Sequence, residues 1–425
     1  MTDDDRHEVG FTDRTRLADA RAALLAAVEP HDRTETVPLG AADGRVLAAS
    51  VTAPRPVPGY DRAAMDGYAV RARDTFGAAD RSPEVLRPSD RDAPVRPGEA
   101  VRVHTGGDLP EGADAVVMME RTRAVGDGPD GWPRELEVFD AVTEGENVGD
   151  AGEDVAAGQQ LFGPGHRLRP SDVGLLKSVG MTELTVREPP TVAVAPTGEE
   201  LVQSDPGPGE VIETNGLTVS RLVERWGGAV THREVVDDDE AALRAAVVDD
   251  ADHDLVVTTG GSSVGERDLV PDVVDDLGEV FVHGVALRPG HPVALGVVRD
   301  GDDADATPVL MLPGYPVACV VNAVQFLRPA LKLAGDLPVP PHPTTEATLG
   351  RKVPSSPGER TFARVRLEDD ANASDDRPTA APTRASGSGV LSSVALADGW
   401  VVVPESVEGF DAGETVSVQH WERRP

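Results

Sequence analysis

Residues 254–268 read Asp-Leu-Val-Val-Thr-Thr-Gly-Gly-Ser-Ser-Val-Gly-Glu-Arg-Asp. Residues 255–258 are apolar and β-branched without alternation, as in a strand buried on both faces. The run then enters Gly260, Gly261, Ser262, Ser263 and Gly265. Adjacent glycines allow positive φ and leave no Cβ between main chain and ligand. Free N–H groups ahead of a helix, with serine hydroxyls beside them, make a cradle for an anion. Glu266 and Asp268 add carboxylates, so the loop could hold a divalent cation against a phosphorylated ligand. A βα turn whose glycines only relieve strain has the same local pattern.

Three further stretches place carboxylates at turns. Asp66 precedes Gly67 where a strand begins, which is also ordinary turn chemistry. Asp154 ends the carboxylate-rich turn Gly149-Asp-Ala-Gly-Glu-Asp. Asp238 lies in Asp237-Asp238-Asp239 ahead of a helical pattern, where N-capping explains it without function. The single cysteine, Cys319, rules out an internal disulfide framework or a thiolate metal site; in its apolar helical setting it reads as a small buried hydrophobe.

The elements that must position these residues change in kind along the chain. Residues 14–28 have helical spacing of Leu17, Leu24 and Val28, and Pro30 stops the helix. Residues 36–50 read as strand, turn, strand, with Asp43-Gly44 as the turn. Residues 52–140 read as a small β-rich domain. From Thr191 strands and helices alternate: strands at 191–195, 229–235, 254–258, 280–285, 293–298 and 309–312, helices at 218–226, 240–249, 270–277 and 317–334. That predicts a mostly parallel α/β sheet with helices on both faces. Ligands on such sheets bind at the carboxyl ends of the strands. After the stiff linker 338–343, residues 345–418 read as an all-β domain, with 369–384 a polar insertion.

The formal net charge is −34, from 74 acidic against 40 basic residues. So large an acidic excess is of halophile type, suited to a cytoplasm whose salt screens the repulsion. It argues against nucleic acid, since there is no basic stripe. No apolar run of about 20 residues is read as crossing a membrane, and the acidic N-terminus is not read as a secretory signal. The reading is therefore cytoplasmic, with no membrane partner.

Six strings in order carry a resemblance: Ala-Met-Asp-Gly-Tyr-Ala (64–69), Thr-Gly-Gly-Asp-Leu-Pro-Glu-Gly-Ala-Asp-Ala-Val-Val (105–117), Gly-Glu-Asp (152–154), Pro-Thr-Gly-Glu-Glu-Leu (196–201), Gly-Gly-Ser-Ser-Val-Gly-Glu-Arg-Asp (260–268) and Leu-Pro-Gly-Tyr-Pro-Val (312–317). Together they resemble the molybdopterin molybdenumtransferases, the MoeA-type proteins related to the gephyrin E domain, over nearly the whole chain. The resemblance implies four domains: 1–51 with 141–188 as a discontinuous N-terminal domain, 52–140 inserted, 189–337 as the α/β molybdopterin-binding domain and 338–425 as the C-terminal β domain. It implies a homodimer with the active site at its interface. It also implies a reaction in which adenylylated molybdopterin and molybdate or tungstate give molybdenum cofactor and AMP with Mg²⁺.

By the same resemblance Asp66, Thr105, Glu200 and Asp268 are catalytic, and Asp66, Asp154, Glu200, Asp238 and Asp268 are metal-binding. Gly260, Gly261, Ser262, Ser263, Gly265, Arg288, Pro313 and Pro316 bind the pterin substrate. Arg360, Arg364 and Ser392 or Ser393 are oxyanion contacts. Where the family has two lysines this chain has Arg288 and His291. Tyr315 replaces the usual asparagine, and Ala63 and Ala318 replace common serines. The alternatives carried beside this reading are a molybdopterin adenylyltransferase, which would consume ATP, and a non-catalytic molybdopterin-binding scaffold.

Overall fold

The computed structural model describes residues 14–90, 94–128, 133–260, 269–299, 306–369, 377–383 and 389–422. The chain divides into two units, Met1–Glu35 with Arg187–Pro425, and Thr36–Val186.

The first unit carries a six-stranded sheet in the spatial order Ala229–His232, Thr191–Pro196, Leu255–Thr259, Thr307–Leu312, Ala294–Val298 and Gly278–His283. The first four strands are parallel. The last two are antiparallel to their neighbours, which narrows the expectation of a mostly parallel sheet. No helix separates Gly278–His283 from Ala294–Val298, and a parallel pair needs a longer crossover. Leu255–Thr259 is buried along its whole length, as its unbroken β-branched run requires.

Helix Asn215–Trp226 turns an apolar face to the sheet and ends at Gly227 in the left-handed region, φ 99°. The helical run Pro316–Ala334 is long and apolar enough to cross a bilayer, but 89% of it is buried in the protein core. The helix Leu17–Ala26 buries Leu17, Ala20 and Leu24 in this same core, with Leu331 and Trp226. Its apolar face is covered by the α/β layer.

A second six-stranded sheet of this unit combines Leu287–Arg288 with strands after residue 343. Five of them close into a ring, because Arg360–Glu368 pairs with both Thr379–Pro382 and Gly399–Val403. The two-residue strand Leu287–Arg288 adds to Arg360 and Thr361 in parallel. It thereby joins the loop after the first sheet to the ring.

The second unit holds a six-stranded sheet in the order Ala115–Met118, Gly67–Val70, Glu99–Val103, Glu84–Pro88, Pro133–Val138 and Thr122–Asp127. It packs over Tyr68, Leu86, Val117 and Leu136, as the β-rich pattern predicted. The expected second strand of 36–50 is reduced to single bridges, Val46 to Arg167 and Leu47 to Val186. The chain there follows a three-residue turn of helix, Leu39–Ala41, instead of a hairpin.

In this unit Asp172 begins the helix Pro170–Ser178. Its carboxylate accepts from the Arg169 backbone N–H at 3.0 Å and guanidinium at 3.0 Å, and lies 2.8 Å from His166 Nε2. The hydrogen-bonded Arg169 side chain, then His166, hold the carboxyl far below its ordinary 3.8. A folded-state pKa below the unfolded one contributes stability above about pH 4 and loses it as pH falls further. Asp172→Asn should therefore cost about 1–3 kcal/mol at pH 7 and flatten the acid limb of the stability curve. Urea titrations from pH 7 down to 3 check both effects.

Candidate functional site

Three parallel strands of the first unit end side by side. Thr191–Pro196 leads into Thr197-Gly198-Glu199-Glu200, Leu255–Thr259 into Gly260, and Thr307–Leu312 into Pro313-Gly314-Tyr315-Pro316. The Thr197 N–H donates to Thr259 O at 3.2 Å and the Gly260 N–H to Leu312 O at 3.1 Å. A Cβ on Gly260, whose φ is +133°, would lie 2.1 Å from Thr197 O, and one on Gly314 would lie 3.5 Å from the Gly260 Cα. Among the described residues the buried hydroxyls of Thr197, Thr258 and Thr259 have no hydrogen-bond partner. Buried hydroxyls are ordinarily bonded, so glycine surfaces edged with unused hydroxyls suit a polar ligand. Gly261, Ser262, Ser263, Gly265 and Asp268 lie outside the described residues.

The Glu199–Glu200 loop is held against the chain segment before the next helix. Thr197 bridges Val236, and the Gly198 N–H donates to Val236 O at 3.3 Å. The Glu200 carboxylate folds back over Gly198, within 3.0 Å of where a Cβ would stand. Asp238 accepts from the Glu199 backbone N–H. Burial first, then the charges of Glu200, Glu199 and Asp237, raise its carboxyl above 3.8. Asp239, not Asp238, caps the helix Glu240–Asp249, its side chain accepting from the Ala241 N–H at 3.0 Å. The capping explanation of Asp238 is thus removed, and Glu200 and Asp238 are brought together. Among the described residues no group of three or more such side chains is placed to hold a metal ion.

Arg288 stands on the short strand beside the ring. Its Nε lies 3.3 Å from Glu359 Oε2, and Glu359 also pairs with Arg14. Burial, followed by Arg14, pushes the His291 imidazole below its ordinary value. The loop between them is pinned by Asn322, whose Nδ2 donates to Gly290 O at 2.8 Å; a Cβ on Gly290 would lie 2.3 Å from that nitrogen. Of the expected ring contacts, Arg360 is taken up by Glu405 at 2.9 Å and the Ser393 hydroxyl by Val390 O at 2.7 Å. A cleft of about 510 Å³ instead joins Ser392 and Ser393 to Arg351, Arg366 and Thr383.

In the second unit Asp66 and Thr105 meet. Asp66 Oδ1 accepts from the Thr105 N–H at 2.7 Å and the Thr105 hydroxyl at 2.9 Å. Those two bonds, backbone first, lower the carboxyl pKa, with His104 and Arg102 adding to it. Gly67 is required next in sequence, because a Cβ there would lie 2.0 Å from Val117 O on the paired strand. Asp154 is exposed on a separate turn, its backbone N–H donating to Val57 O at 3.1 Å.

Sequence reasoning passed over Asn215 and Glu213. Asn215 Nδ2 donates to Gly314 O at 2.6 Å, fixing the Pro313–Pro316 turn. The buried Glu213 accepts from the Gly216 N–H at 2.6 Å at the start of the same helix. The local signal was the polar triplet Glu213-Thr214-Asn215 ahead of an apolar helical pattern. Cys319 is buried and burial pushes its thiol up, so it remains an uncharged packing group.

The sequence matches three family models: the MoeA N-terminal region (domain I and II) over residues 15–180, a probable molybdopterin binding domain over 193–333, and the MoeA C-terminal region (domain IV) over 346–421. It is 35% identical over 407 residues to molybdopterin molybdenumtransferase 2 of Mycobacterium tuberculosis, covering 91% of this chain and 95% of that protein. With the molybdopterin molybdenumtransferase of Bacillus subtilis the identity is 31% over 398 residues, covering 91% and 89%. The crystal structure of the molybdopterin biosynthesis MoeA protein from Pyrococcus horikoshii superposes with a TM-score of 0.79 at 32% identity, over 97% of this chain and 100% of that one. With that identity sustained over more than nine-tenths of its length, the chain belongs to the MoeA family of molybdopterin molybdenumtransferases.

Proposed function

We propose that this enzyme inserts molybdenum into molybdopterin, taking adenylylated molybdopterin and molybdate and releasing AMP with the finished cofactor. The observation that carries the reading is the run of strand ends at Thr197, Gly260 and Gly314, too close for a Cβ at Gly260 and backed by buried hydroxyls without partners among the described residues, directly continuous with the Glu200–Asp238 carboxylates. Main chain at Gly260 and the loop Gly261, Ser262, Ser263 and Gly265 would receive the pterin phosphate. Pro313 and Pro316 would hold the Gly314 turn rigid. Asp66, fixed by Thr105, stays ionised and presents a carboxylate at the mouth of its strand.

Mg²⁺ suits these donors. They are carboxylate oxygens, and Mg²⁺ is commonly held by one or two carboxylates together with substrate phosphates. In this reading Glu200, Asp238 and Asp268 hold it, with Asp66 and Asp154 as further ligands. When bound it would offset charge on the pyrophosphate as AMP departs. Glu200 and Asp238 would orient the adenylate by that contact.

Four domains, a homodimer with the site at its interface, and a cytoplasmic location complete the proposal. Tungstate is the second oxyanion considered. Arg288 shares its charge with Glu359, and His291 is uncharged at neutral pH. Both soften the cationic contact that paired lysines would give.

The test is AMP release by the purified protein from adenylylated molybdopterin and Mg²⁺ in high salt, with molybdate or tungstate added in turn. Oxyanion-dependent release is expected. Tight nucleotide binding without release would replace the enzyme by a binding scaffold, and ATP consumption with bare molybdopterin would replace it by an adenylyltransferase. In the same assay Thr105→Val, which removes one of the two bonds fixing Asp66, should lower kcat/KM about tenfold, while Thr105→Ser retains activity. Equal activity in the valine variant would separate Asp66 orientation from catalysis.

A further inference from the structure

Arg21, Arg328 and His342 gather in a chain whose formal charge is −34, and none of them meets a carboxylate among the described residues. Arg21, on the helix Leu17–Ala26, grips Gln325: Nε donates to the backbone carbonyl at 3.0 Å and Nη2 to Oε1 at 2.6 Å. That carbonyl lacks a partner four residues on because position 329 is proline. The helix opens there into a π turn, Ala323–Leu327, and the Arg328 N–H reaches back to Ala323 O. Arg328 is only 7% exposed, and its Nη2 donates to Pro340 O at 2.5 Å. Pro340 sits two residues before His342, so the linker is drawn over the same spot.

The acceptors used here are neutral carbonyls and an amide. They satisfy N–H donors without compensating charge, and a buried guanidinium lacking a counter-charge is unfavourable. Burial lowers the pKa of Arg328 and of Arg21, and a neighbouring arginine lowers each further: Arg21 acts on Arg328, and Arg360, itself paired with Glu405, acts on Arg21. Burial first, then Arg328 and Arg21, push the His342 imidazole down to about 4. Among the described residues each guanidinium keeps N–H donors without a partner in its planar fork, the geometry that grips an oxyanion through two bonds. In the repulsive field of so acidic a protein, a small anion settles only where local cations outweigh it.

We infer that Arg21, Arg328 and His342 form a binding site for a small inorganic oxyanion of the sulfate or phosphate class, which ties the Leu17–Ala26 helix and the 338–343 linker to the Pro316–Ala334 helix. None of the three residues belongs to the proposed reaction.

The probe is sulfate, titrated into the full-length protein against chloride at constant ionic strength, with inorganic phosphate as a second arm. The His342 imidazole is followed by NMR, its resonance assigned by its absence in His342→Ala. Sulfate should raise the His342 pKa by at least one unit and give a saturable gain in Tm. Arg21→Gln should weaken the half-saturating sulfate concentration at least tenfold. If that variant folds poorly, His342→Gln serves for the same comparison. A His342 pKa that sulfate leaves unmoved, or a Tm gain as large in the variant as in the parent, overturns the site.

Discussion

Glu200→Gln should slow oxyanion-dependent AMP release about 10²–10³-fold, the scale of losing part of a metal's several kcal/mol of charge stabilisation. The substitution keeps shape and removes charge. The Glu200 side chain is already folded over Gly198, so glutamine can occupy the same position. Its effect on Asp238 gives a second readout. Burial comes first in raising the Asp238 carboxyl, and the Glu200 charge is the leading electrostatic cause; glutamine at 200 should therefore lower the Asp238 pKa towards 3.8. A raised folded-state pKa means that stability present below the unfolded value is lost as pH rises through the folded one. Asp238→Asn should accordingly raise the Tm of the metal-free protein at pH 7 while weakening its response to Mg²⁺. Such an opposition of stability and function is common where like charges are held together for a ligand. Activity and Tm are both measured across a Mg²⁺ titration. A Glu200→Gln enzyme with unchanged rate and unchanged Mg²⁺ dependence would remove Glu200 from the metal.

How much of this could be read from the sequence depended on range along the chain. Leu255–Thr259 and the glycine after it were legible because β-branched residues followed by glycine constrain the backbone locally. The Asp66–Gly67 pair was legible as a motif, although the reason for the glycine, Val117 O on a strand 50 residues away, was not. Asp238 looked like a helix cap because three aspartates compete for one capping position; only coordinates show that Asp239 takes it. The pairing of Arg288 with Glu359 and the packing of the Leu17–Ala26 helix on the α/β layer depend on tertiary contact. An amphipathic pattern states that a face must be covered without saying by what. The antiparallel edge of the sheet had a local sign, since no helical pattern separates 280–285 from 293–298. Asn215 donates to the distant backbone of Gly314 and Gln325 accepts from the distant Arg21 side chain, and neither left a periodic trace.

Gly260→Ala should abolish turnover and destabilise the first unit on the order of 3 kcal/mol, combining a strained φ with a core overlap. The conflict is backbone against side chain: the new methyl would stand 2.1 Å from Thr197 O and 2.9 Å from the Thr197 hydroxyl. No rotamer relieves it, because Cβ has none. The strand ends at Thr197 and Gly260 must separate, and the 3.2 Å bond from the Thr197 N–H to Thr259 O goes first. That displacement moves the Glu199–Glu200 loop, which hangs from Thr197, so the cradle and the carboxylates are lost together. Gly174→Ala is the control. It lies within the helix Pro170–Ser178, a Cβ there meets nothing within 4 Å, and alanine should add up to about 1 kcal/mol. Denaturant midpoints and AMP release are compared for both variants and the parent. A Gly260→Ala protein that unfolds at the parental midpoint and still releases AMP would mean that the strand ends tolerate a side chain, and that the close approach of main chain to substrate lies elsewhere.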